Sequence, residues 1–163
     1  MPASVEIAAF LESAKEVGGD LYDAFMVDEK RLFFLVGDVT GKGVPASLFM
    51  ALSKAMSKSA ALRGPGVAMN TIIEMANDEI SRENPADLFV TMFAGVIHGE
   101  TGEVEFCNAG HEDPHVVSAD GTVRVLESDG GPPLCVFEGF PYPNETFILA
   151  PGETLVITTD GVT

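Results

Sequence analysis

Basic residues are scarce in this chain: nine Lys and Arg stand against 25 Asp and Glu, a formal charge of −16 over 163 residues. Tracking a phosphate backbone requires clustered Lys and Arg, and the sequence offers no such stripe. Nucleic acid and anionic membrane surfaces are therefore excluded as expected partners. Long apolar runs are also missing. The longest, Leu32 to Gly37, falls far short of the roughly 20 residues that span a bilayer, so no membrane segment is expected. The N-terminal stretch lacks a basic region and carries Glu6 and Glu12, which argues against a secretory signal. Only two cysteines occur, Cys107 and Cys135, far apart and in apolar surroundings. They read as reduced core residues of a cytoplasmic protein, neither a disulfide nor a metal pair.

What is present is an ordinary globular composition, 46% hydrophobic and 21% charged, at the length of one domain. Short apolar runs alternate with turn chemistry. Strands are expected at 5–11, 21–27, 31–39, 87–97, 103–109, 122–127, 146–150 and 154–159. The separators Asp28-Glu29-Lys30, Thr101-Gly102, Asp120-Gly121 and Pro151-Gly152 are too short for parallel crossovers, so the sheets should be mainly antiparallel. Two helices are expected among them. One covers 44–62, with Pro45 in its first turn. The other covers 67–81, with Met69, Ile72, Ile73, Ala76 and Ile80 facing inward. The fold class that follows is α+β, with helices packed on sheets.

Folding the segment from Asp20 to Asp38 as a hairpin that turns at Glu29 places residues summing to 58 opposite one another. Met26 then faces Leu32, Ala24 faces Phe34, Tyr22 faces Val36, and Asp20 faces Asp38. Like charges opposed across a ladder are destabilising, so two carboxylates at the open end of an apolar hairpin call for a reason. A hard divalent cation supplies one, because carboxylate oxygens suit Mg²⁺ and Mn²⁺. Asp160, at the end of the apolar run Thr154 to Thr159, stands where a strand meets a loop in the same way. Asp120-Gly121 and Asp129-Gly130 read as plain turns.

The stretch GDVTGKGVPAS (Gly37 to Ser47) superficially matches a nucleotide-binding loop. Only three residues separate Gly37 from Gly41, however, and Gly43 follows Lys42 where Walker A needs Ser or Thr. The P-loop reading fails, and Lys42 is left as an exposed loop lysine. Gly-Gly-Asp at 18–20 begins the signature of a class of nucleotide cyclases, but Leu21-Tyr22 breaks it. The remaining polar candidates have modest readings. His111 is a turn or structural histidine, His98 and His115 lie on strands or their edges, and Asp23 supports the site or solvates a strand face. Lys15 reads as a solvated lysine.

Five blocks in order, VGGDLYD (17–23), GDVTGKGVPAS (37–47), FVTMFAGVI (89–97), NAGH (108–111) and TTDGVT (158–163), resemble the SpoIIE/RsbU branch of the metal-dependent, PP2C-like PPM protein phosphatases. The resemblance implies an α-β-β-α sandwich of two mainly antiparallel sheets flanked by helices. It implies two Mn²⁺ or Mg²⁺ ions and hydrolysis of phosphoserine or phosphothreonine on a protein, typically an anti-sigma-factor antagonist. Matched by motif, Asp20 is expected to ligate one metal, Asp38 to bridge both, the Val39 backbone carbonyl to ligate, and Asp160 to hold the other metal. The family pattern runs on past TDGVT to a further metal-binding aspartate. One phosphatase domain over 1–163, lacking its C-terminal end, is therefore expected. Glu112-Asp113 follow NAGH where relatives often carry Asn-Pro. The rival reading is a pseudophosphatase that binds a phosphoprotein without turnover. A homodimer is compatible with either reading.

Overall fold

The computed structural model describes residues 20–39, 68–82 and 89–159, with the backbone alone for Asp20, Leu21 and Ile80. Strands β1 (Asp20–Met26), β2 (Arg31–Val39), β3 (Val90–His98), β4 (Glu103–Ala109) and β7 (Glu145–Ile148) form a five-stranded sheet in the order β1-β2-β3-β4-β7. Strands β5 (His115–Val117), β6 (Val123–Val125) and β8 (Thr154–Val156) form a second sheet in the order β6-β5-β8. Every ladder between these strands is antiparallel, as the short connections require. The helix α1 (Met69–Arg82) joins the two halves of the first sheet.

The hairpin register is the one expected, from Met26 opposite Leu32 to Asp20 opposite Asp38. Its turn is held by the Val27 amide donating to the Arg31 carbonyl at 2.9 Å. The β2 burial pattern alternates, with Phe33, Leu35 and Val39 essentially inaccessible. These residues face α1, where Met69, Ile72, Ile73 and Ala76 meet Val90, Met92, Ala94, Cys107 and Ala109. Burying such a stripe, more than intrinsic propensity, holds a helix of this length. The stripe is the expected one, except that Ile80 lies outside the described side chains.

The opposite face of the first sheet carries a row of aromatic rings. Phe34, Phe93, Phe106 and Phe147 follow one another across β2, β3, β4 and β7 with centroid separations of 6.3, 5.1 and 5.8 Å. Gly95 makes room for this row, since a Cβ there would lie 2.8 Å from the Phe34 ring. Leu126 and Ile157, just beyond β6 and β8, pack on the same cluster and bring the second sheet against it. Helix, sheet and sheet are thus layered, with apolar residues in both interlayers.

Several boundaries differ from expectation. The strands expected at 122–127 and 154–159 are only three residues each, and β5 was not among the expected strand runs, although His115 was read as lying on a strand or its edge. β5 is too short to show a period, and its pairing to both β6 and β8 defines it. Cys107 is a buried free thiol as expected. Cys135 is free but only half-buried, and sits in a loop with φ of 74°. The strand expected at 5–11 and the helix at 44–62 lie outside the described residues. Among the described residues no helix is long and apolar enough to cross a membrane.

Candidate metal centre

The open end of the β1–β2 hairpin meets the start of β3 and the loop that follows β4. Asp20 pairs with Asp38, Asp38 with Thr91, and Val39 with Val90 in consecutive ladders. Asp38 is partly accessible while Val39 is 2% exposed, so alternation along β2 turns Val39 into the α1 core and Asp38 to the other face. The Thr91 hydroxyl lies 3.4 Å from the Asp38 carbonyl oxygen.

The loop Asn108 to His111 is folded onto this end by its own side chains. Asn108 Oδ1 accepts the His111 amide at 2.8 Å, and Asn108 Nδ2 donates to the His111 carbonyl at 3.0 Å. Nδ2 also reaches Ser128 Oγ at 3.0 Å and Asp113 Oδ1 at 3.3 Å, while Ser128 Oγ donates to Asp113 Oδ1 at 2.7 Å. Gly110 turns the chain with φ of 70°, and a Cβ there would lie 2.6 Å from the Pro133 ring. The His111 ring, 8% exposed, places Nε2 2.7 Å from the Thr158 carbonyl oxygen and Nδ1 3.3 Å from Thr91 Oγ1. His111 is therefore structural, as expected, and it stands beside the candidate site.

The described residues place Asp20 and Asp38 directly across one ladder. Asp160 lies outside them, as do Lys15 and Lys42. Among the described residues no group of three or more His, Cys, Asp or Glu side chains converges as a metal site. Two aspartates paired across a ladder are nonetheless residue types whose donor chemistry fits a hard divalent cation. Asp23 bonds locally, its Oδ1 accepting the Ala24 amide at 2.9 Å. His98 ends β3 and His115 begins β5, both on strand edges as expected. Asp120-Gly121 is a turn, with the Gly121 amide donating to the Ser118 carbonyl and the Thr122 amide to Asp120 Oδ1, each at 2.9 Å.

The thiols offer no alternative nucleophile. Burial first, then the charges of Glu145 and Glu74, push Cys107 up to about 12, so its thiolate is absent at neutral pH. Burial raises Cys135 as well, against an opposing contribution from Ser81. Ser128 was not singled out in the sequence, and Thr91, Asn108 and Asp113 entered only within or beside quoted blocks, with no role of their own. Thr91 becomes visible only when the β2–β3 register sets it opposite Asp38.

The sequence profile described as Stage II sporulation protein E (SpoIIE) matches residues 28–163. Protein IcfG of Synechocystis sp. is 31% identical over 97% of this chain and 29% of its own length. The phosphoserine phosphatase RsbU of Bacillus subtilis is 29% identical over 98% of this chain and 47% of its own length. The chain thus spans less than half the length of these curated relatives. Among solved structures, the RsbU and RsbW domains of Rv1364c from Mycobacterium tuberculosis superpose with a TM-score of 0.79 at 29% identity, over 92% of this chain and 41% of that one. With its layered antiparallel sheets and this profile match over most of its length, the chain belongs to the SpoIIE family.

Proposed function

We propose that this chain hydrolyses phosphoserine or phosphothreonine on a regulatory protein, with an anti-sigma-factor antagonist as the expected substrate and two Mn²⁺ or Mg²⁺ ions as cofactors. The observation that carries the reading is the register that sets Asp20 against Asp38 at the open end of an apolar hairpin. PP2C-type phosphatases are metal-dependent, and the named relative RsbU is a phosphoserine phosphatase.

In this reading Asp20 and Asp160 would each hold one ion, Asp38 would serve both, and the Val39 carbonyl would add a donor. All are hard oxygen donors. When bound, the ions supply Lewis acidity to activate water and neutralise phosphate charge. The remaining duties fall on the chain. Ladder pairing of Asp38 with both β1 and β3 holds its backbone from two sides, and the His111–Thr158 bond fastens the segment that leads to Asp160. Water attacks phosphorus, the P–O bond to the serine or threonine breaks, and the hydroxyl product leaves with a proton. Neither thiol is needed as a nucleophile.

The test is release of phosphate from a phosphoserine protein across a Mn²⁺ titration, with Asp38→Asn alongside. Metal-dependent release that is lost in the variant is the expected result. Metal binding without release by the wild-type chain would favour a phosphoprotein-binding module instead. Release independent of added metal, and unaffected by a chelator, would overturn the metal reading.

A further inference from the structure

We propose that His111 is a positioning residue that clamps the two halves of the candidate metal edge together. The inference rests on the metal reading above. Its ring spans two segments far apart in sequence. Nε2 lies 2.7 Å from the Thr158 carbonyl oxygen, two residues before Asp160, and Nδ1 lies 3.3 Å from the Thr91 hydroxyl, which itself lies 3.4 Å from the Asp38 carbonyl oxygen. A carbonyl oxygen can only accept, so Nε2 carries a proton, while Nδ1 faces the Thr91 hydroxyl, whose single proton goes to one partner at a time. One imidazole therefore joins β3, which is laddered to the strand bearing Asp38, to the segment that leads to Asp160 in sequence.

The ring is itself held in place. Asn108, 3% exposed, bonds both the amide and the carbonyl of His111, and Gly110 provides the left-handed residue between them. A core histidine that merely fills space needs neither the doubly bonded backbone nor partners on two other segments. Groups that orient metal ligands without touching the metal typically change metal affinity 10–100-fold when removed. The clamp acts through backbone carbonyls, so its loss should loosen the spacing between aspartates and leave every ligand present.

Two substitutions separate the contacts. In His111→Gln the side-chain amide reaches about as far as Nε2 and retains a donor for the Thr158 carbonyl. In His111→Asn the shorter amide reaches only toward Thr91. Calorimetric Mn²⁺ titration of the metal-free protein is expected to give a Kd raised roughly 10–100-fold in His111→Asn. The Kd of His111→Gln should stay within about threefold of wild type. Urea unfolding in the presence of a chelator reports whether each variant folds. If His111→Asn does not fold, Thr91→Val, which removes the hydroxyl at nearly constant size, is expected to weaken Mn²⁺ binding in its place. Long-range ¹⁵N–¹H spectra of the wild-type ring give a readout independent of metal, with the proton expected on Nε2.

An Nε2 found without its proton overturns the clamp while leaving the metal reading intact. So does wild-type affinity in folded His111→Asn, wild-type affinity in Thr91→Val where His111→Asn does not fold, or a loss in His111→Gln as large as in His111→Asn. Failure of the wild-type chain to bind Mn²⁺ overturns the metal reading, and the clamp with it. That outcome is recognised in the wild-type titration alone.

Discussion

The two ends of the β1–β2 hairpin both carry aspartate and treat it in opposite ways. At the closed end, Asp28 Oδ1 accepts the Lys30 and Arg31 amides at 2.9 Å each, and Oδ2 accepts Arg31 Nε at 2.8 Å. The Lys30 amide foremost, then the Arg31 side chain, hold its carboxyl below the usual carboxylate range. At the open end the register pairs aspartate with aspartate. The turn spends its acid on closing the hairpin. Like-charged residues paired across a ladder weaken it unless something binds there. Acidity alone thus says little about a site, whereas an acid set against another acid by a fixed register says much more.

Between the two ends lies the part of the hairpin that holds the fold. Phe33 is fully buried and its ring lies 4.9 Å from that of Phe25. Phe33→Ala should cost about 3–5 kcal/mol, read as a lowered urea midpoint, since a cavity would open against α1. A variant losing less than about 1 kcal/mol would show that the hairpin is not anchored there. A second structural carboxylate sharpens the contrast. Glu105 Oε2 accepts the Met69 amide at 2.8 Å and an Asn144 Nδ2 proton at 2.9 Å, capping α1 from β4. Glu105→Ala should cost about 1–2 kcal/mol in the same assay, through loss of the cap and its favourable charge at the helix N-terminus. Metal affinity should be unchanged.

The smallest effect belongs to Asp28. Its folded pKa is depressed, so its contribution is present above the unfolded value of 3.8 and fades as pH falls through that value and below. Asp28→Asn should flatten the fall in urea midpoint between about pH 5 and pH 2, leaving the midpoint at neutral pH only slightly lowered. An unchanged acid limb would mean that Asp28 does not close the turn.

Much of this comparison was legible in the sequence. Period-two alternation from Arg31 to Val39 and turn residues at 28–30 pointed to the hairpin register that the ladder shows. The helix stripe from Met69 to Ala76 was equally plain, because 3.6-residue periodicity survives in isolation. What sequence did not reveal is long-range polar bonding. Asn77 is fully buried inside α1, where its Oδ1 accepts the Cys135 amide at 2.8 Å and its Nδ2 donates to the Phe137 carbonyl at 2.9 Å. Nothing local marks an asparagine as the anchor of a loop about 60 residues away. The φ of 74° at Cys135 was equally hidden, since neither Gly nor Asn stands there to announce it. At the site, motif and register pointed to Asp20 and Asp38. Thr91 and the role of His111 emerged only from contacts between strands.

The central claim is that the open end of the hairpin, and not its acidic turn, binds the catalytic cation. Calorimetric Mn²⁺ titration of wild type, Asp38→Asn and Asp28→Asn tests it most directly. Binding by wild type and Asp28→Asn, with at least about a hundredfold loss in Asp38→Asn, is the predicted result. Equal affinity in all three proteins, or a loss in Asp28→Asn instead, would contradict it.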